Sequence, residues 1–93
     1  MDRYDVKLNA RAYRDLEEIY KYISKELQAP ENAQNQTNRL WTALKKLDTF
    51  PQSHQERIVG RYAGKGYRQL LVDNYIVIFK IDEFHKIVKI VTI

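Results

Sequence analysis

The sequence of 93 residues contains no cysteine, so neither a disulfide nor a cysteine-ligated metal site is open to it. Long apolar runs are missing too. The longest, Ile76 to Phe79, falls far short of the roughly 18 residues that span a bilayer, and Met1-Asp2-Arg3-Tyr4 has no apolar signal core behind it. A cytoplasmic protein with no membrane partner is expected. There is also no paired-histidine metal spacing, no Gly-rich phosphate loop and no GxSxG elbow, which removes the common hydrolase and metalloenzyme chemistries and leaves no metal or cofactor to expect. Internal repeats and low-complexity tracts do not occur. What the chain does have is charge. It carries 16 Lys and Arg against 12 Asp and Glu, net +4, with 44% hydrophobic residues, the balance of one small globular domain over residues 1–93. A chain of this length buries only roughly 60 to 65% of its extended surface, so the core is thin and a partner would reinforce it. The positive bias favours acidic partners without naming them.

Periodicity divides the chain in two. Tyr4 to Leu8 alternates apolar with charged residues, the period-2 mark of a half-buried strand, and Asn9 offers a helix N-cap. Ala12, Leu16, Ile19, Tyr20, Ile23 and Leu27 then fall on one stripe, predicting a helix from Ala10 to about Leu27. Pro30 suits a first helical turn, and Ala33, Thr37, Leu40, Leu44 and Leu47 predict a second helix ending near Thr49. The short break between them makes an antiparallel hairpin. In the other half, Tyr67 to Val72, Tyr75 to Ile81 and Lys86 to Ile93 read as strands joined by turns at Asp73-Asn74 and Asp82 to His85, with the middle strand central because it is apolar on both faces. The plan is α+β in the order β-α-α-β-β-β, with the helical hairpin packed on a small, mainly antiparallel sheet.

Between the halves, Phe50 to Gly66 has no clear period, and a long irregular segment in a compact domain is where function is first sought. Part of Glu56 to Gly60 could form a short extended edge. No acid lies between Arg57 and Arg68, whereas Arg57, Arg61, Lys65 and Arg68 interleave with Tyr62 and Tyr67. Bases beside aromatics on a loop hold phosphates and unpaired nucleotides, or else pair with acids from the helices. His54 or Glu56 within reach of a ribose hydroxyl would act as a general base, with a nearby Arg stabilising the phosphate, which is metal-free RNA cleavage. His85 is expected to be exposed in its turn. Tyr13 and Tyr22 lie at the edges of the first helical stripe and mark a contact surface, and Trp41 is expected to pack between the helices.

Several strings converge on one family. They are Tyr4-Asp5-Val6-Lys7-Leu8 followed by Ala12, Asp15-Leu16, Ile19 and Tyr22-Ile23; Leu47 to Pro51; Gly66-Tyr67-Arg68-Gln69-Leu70; and Asp73 to Asp82. In this order and at these spacings the chain resembles the RelE/ParE superfamily of type II toxin-antitoxin toxins, in particular its ParE-like, plasmid-stabilisation branch. The resemblance implies a growth inhibitor neutralised by a cognate antitoxin protein, with the complex binding operator DNA through the antitoxin. Members of the superfamily that cut mRNA on the ribosome carry bases on the first meander strand, an Arg after the aromatic that opens the next strand, and Arg, His or Tyr after the last. Arg68 matches the first, and Glu56 lies where some members place a catalytic acid. Ile76 stands where the second Arg would be, as in members that poison DNA gyrase. The resemblance therefore implies action on gyrase, with Arg57, Arg61, Lys65 and Arg68 as target contacts. The alternatives are a ribosome-dependent endoribonuclease using Arg68, Glu56 and His54, and, because the sequence stops at Ile93 inside its last predicted strand, a truncated non-toxic form that binds antitoxin only.

Overall fold

The computed structural model describes residues 3–93. Strand β1 (Asp5–Leu8) turns Val6 and Leu8 inward, and Tyr4 just before it is buried. Asn9 caps the next element, its side-chain oxygen accepting from the Ala12 N–H at 3.0 Å, one of the donors that a helix start leaves unsatisfied. Helix α1 (Ala10–Lys21) buries Ala12 and Leu16. It does not run on to Leu27 as a regular helix. From Tyr22 to Glu26 the chain widens into a π turn in which the Leu27 N–H reaches back five residues to the Tyr22 carbonyl, at 3.2 Å, and Gln28 closes it at φ +51°. The wider turn still buries Ile23 but carries Leu27 off the stripe, and Tyr20, predicted on the core face, is exposed as well because Leu16 and Ile19 occupy that face.

Helix α2 (Pro30–Lys45) starts on Pro30 and buries Ala33, Leu40 and Leu44, and a tight turn at Lys46–Asp48 buries Leu47. Trp41 lies partly buried against the core, its ring 6.1 Å from Tyr13 of α1, so it packs between the helices as its position predicts. The remaining strands are β2 (Arg68–Val72), β3 (Tyr75–Asp82) and β4 (Ile87–Thr92). Asp73 takes the positive φ that the β2–β3 turn requires.

The sheet order is β1-β4-β3-β2, with β1 parallel to β4 and the other pairs antiparallel. The first strand thus joins the last, at the edge away from the loop. Both helices cover one face, where Tyr4, Leu16, Leu40, Leu44, Leu47, Val77, Phe79, Val88 and Ile90 make the core. The opposite face carries Lys7, Lys80 and Lys89, all exposed. Near Ile93 the register pairs Ile78 with Thr92 and Phe79 with Ile90, a bulge that leaves Val91 unpaired. The Asp15 carboxylate then fastens this end to α1, accepting from the Thr92 hydroxyl at 2.7 Å and the Ile93 N–H at 3.0 Å. Among the described residues, no helix is long and apolar enough to cross a membrane.

Candidate functional site

The segment between Leu47 and β2 is more ordered than its lack of period predicts. Phe50 sits in the left-handed region, and Pro51 is buried and opens a single tight turn at Pro51–Ser53. Gln52 donates to the Glu83 carboxylate at 2.8 Å and to the Tyr4 hydroxyl, which itself donates to Glu83 at 2.7 Å, tying this turn to the β3–β4 connection. Those bonds hold the Glu83 carboxyl below its usual pKa.

Residues 55–57 then run antiparallel beside β2. The Gln69 N–H donates to the Gln55 carbonyl at 2.9 Å, the Arg57 N–H donates to the Tyr67 carbonyl at 2.8 Å, and Glu56 bridges to Arg68. An extended edge is present where one was expected, shifted toward the N-terminus so that it includes Gln55. Beyond it the chain loops out through Ile58 and Val59, both exposed, and returns through Gly66, whose φ of +82° only glycine adopts freely.

The four predicted cations are not one cluster. Period-2 alternation puts Arg68 on the helical side of the sheet, with Leu70 and Val72, and Arg57 on the open side, with Gln69. Arg68 donates to the His54 carbonyl at 2.7 Å, and Arg57 donates to the Gln69 side chain at 2.8 Å and to the Val59 carbonyl at 3.0 Å. Both therefore brace the loop through neutral acceptors. Among the described residues, none of Arg57, Arg61, Lys65 and Arg68 has a carboxylate within ion-pair distance, so the pairing with helix acids does not form. Arg61 and Lys65 stand exposed on the loop.

His54 is half-buried, its ring edge-on to Phe79 with centroids 5.9 Å apart. Burial first, and the Arg68 charge second, hold its pKa below the usual histidine value, so the ring is neutral at physiological pH. Glu56 is exposed across from Arg68. The fold therefore brings Glu56, Arg68 and the His54 backbone to one edge. His85 is exposed, as its turn predicts, and its Nδ1 lies 2.8 Å from the Asp82 carboxylate. Among the described residues, no group of three or more His, Asp or Glu side chains is arranged to hold a metal ion.

Reading by sequence alone passed over Lys80. Its Nζ lies 5.0 Å from the Tyr67 ring centroid, and Tyr62 meets the same ring edge-on at 4.9 Å. The signal was there in the alternation of β3, but Lys80 meets Tyr67 only through the β2–β3 register.

Comparison with known proteins agrees with this architecture. The family described as the ParE toxin of the type II toxin-antitoxin system parDE matches residues 6–93. Among solved structures, a chain of the chromosomal ParDE toxin-antitoxin system from P. aeruginosa superimposes with a TM-score of 0.78 at 21% identity, covering 97% of this chain and 92% of that one. A chain of the RelBE2 toxin-antitoxin complex from Mycobacterium tuberculosis gives a TM-score of 0.65 at 21% identity, covering 97% and 87%. No curated protein sequence matches.

Proposed function

The chain belongs to the ParE toxin family of type II toxin-antitoxin systems, and from that premise we propose that it arrests growth in the cytoplasm by binding DNA gyrase, without chemistry of its own. The observation that carries this reading is how the loop cations are used. Arg57 and Arg68 are committed to bracing the loop, while Arg61 and Lys65 stand exposed on a loop that also exposes Ile58 and Val59. Exposed cations around an apolar pair are the composition of a protein-contact surface, and they lack the positioned base that phosphoryl transfer needs. Ile76 supports the same reading, since it is exposed on β3 where ribosome-dependent relatives would carry Arg.

A cognate antitoxin is the second proposed partner. Its apolar side chains would cover Tyr13, Tyr20, Tyr22 and Leu27, which are exposed along α1 and the π turn. The ribonuclease alternative keeps one observation in its favour, the backbone β-bridge between Glu56 and Arg68, which places an acidic and a basic residue at one sheet edge without an ion pair between them. Supercoiling by purified gyrase decides between them. Loss of supercoiling in the presence of the toxin, reversed by antitoxin and weakened by Arg61→Ala with Lys65→Ala, is the expected result. Unaffected supercoiling together with cleaved mRNA on programmed ribosomes would overturn it.

A further inference from the structure

The open face of the sheet carries charge in rows. Lys7 of β1 pairs in register with Lys89 of β4, and Lys89 pairs with Lys80 of β3. Three lysines thus stand side by side across three adjacent strands. Beyond Lys80 the row continues to Tyr67 and to Arg57, whose N–H is bonded to the Tyr67 carbonyl. Like charges directly opposite one another destabilise a sheet. Among the described residues, none of Lys7, Lys80 and Lys89 has a carboxylate within ion-pair distance, although the Asp82 carboxylate lies near enough to Lys89 to offset part of that repulsion. Lysine on an edge strand is a common guard against edge pairing. That explains Lys7, but Lys80 and Lys89 stand on the two central strands.

We propose that this row binds the phosphates of a DNA duplex, independently of sequence. With strands about 4.8 Å apart, the three ammonium groups span about 10 Å at their backbones, a length of duplex axis along which one strand of B-DNA carries about three phosphates. A duplex fits better than a single strand because the row has no free stacking platform. Its aromatic ring, Tyr67, is covered by the Lys80 ammonium and met edge-on by Tyr62. The rows on either side set where the duplex lies. Asp5 and Asp82 flank the lysines toward the Glu83 turn, Asp82 with its carboxylate bonded to the His85 N–H and ring. On the other side Ile78, Gln69, Ile76 and Leu71 carry no charge. The DNA axis therefore lies over that neutral half, with its near backbone on the lysines. An acidic protein segment is the competing occupant of such a row, but the groove beside Lys80 and Lys89 is also lined by Asp82 and Glu83, which would repel its carboxylates.

Binding to free DNA does not require the gyrase reading, so the two stand or fall separately. The test is fluorescence anisotropy of a labelled short duplex of random sequence with the full chain, titrated across salt concentrations. The wild-type protein should bind with a salt-dependent affinity. Replacing Lys7, Lys80 and Lys89 together by Gln should weaken binding about tenfold or more and make the log–log salt slope shallower by about 2.7, that is 0.9 per lost contact. The triple Arg variant should retain binding, and single Lys89→Gln should remove about one contact's worth of slope, which keeps the test decisive if the triple Gln variant misfolds. Binding and slope unchanged in the Gln variants would overturn the proposal. So would tighter binding to the matching single strand, or displacement of the duplex by polyglutamate at equal charge, which would assign the row to an acidic protein.

Discussion

The two faces of this sheet are supplied by the same strands and obey different physics. On the covered face, Val77, Phe79, Val88 and Ile90 are fully buried beneath two helices. One residue along each strand, Lys80 and Lys89 stand in water beside another lysine. The covered face gains free energy by excluding water, and that gain is large and grows with the apolar area each side chain buries. The open face gains little from packing and tolerates a repulsion that the fold does not require. Ile78 lies between these regimes. It points to the uncovered side, between Gln69 and the bulged end of β4, and is nevertheless buried.

The sharpest way to break the contrast is to remove the centre of the covered face. Phe79→Ala should cost about 3 to 5 kcal/mol, most of the stability of a domain this small, and should leave the protein largely unfolded in denaturant titrations. Ile78→Ala asks whether burial without helices is worth as much. It should cost about 2 kcal/mol, the low end for such truncations, because the open side can collapse into the gap; a loss equal to that of Phe79→Ala would mean that the two faces pack alike. Asp15→Ala releases the Thr92 and Ile93 clasp and should cost about 1.5 to 2 kcal/mol, read as a lowered Tm with faster hydrogen exchange confined to the end of β4. On the open face the sign should reverse, since Lys89→Thr removes two like-charge contacts and should stabilise by a few tenths of a kcal/mol, more at low salt than at high.

The smallest effect concerns pH. His54 has a folded-state pKa below its unfolded value, so the unfolded chain binds the extra proton first. Its contribution is fully present above the unfolded pKa, near 6.5, and is lost as pH falls through the depressed folded value. Stability should therefore rise with pH across this window, and His54→Gln should flatten that part of the profile.

Much of the fold was legible because it is written in local signals. Asn9 caps, Pro30 starts a helix, and Asp73 turns the hairpin wherever the rest of the chain lies. The π turn was not legible, because Ile19, Ile23 and Leu27 keep helical spacing while the hydrogen bonding slips by one residue. The basic loop was visible as composition, but its division was not. Whether Arg57 and Arg68 share a face depends on an antiparallel pairing that puts them on opposite sides. The lysine row was further out of reach, since Lys7 and Lys89 become neighbours only through the parallel pairing of the first strand with the last.

That pairing also sets a clock on synthesis. During translation the helices and the β2–β3 hairpin can form as they emerge, but β1 has no partner until β4 has left the ribosome. The first strand of the fold is among the last to be locked in place. A growing cell thus completes this sheet only after β4 has been made, and until then the nascent toxin holds an unpaired strand that a chaperone or another chain can reach.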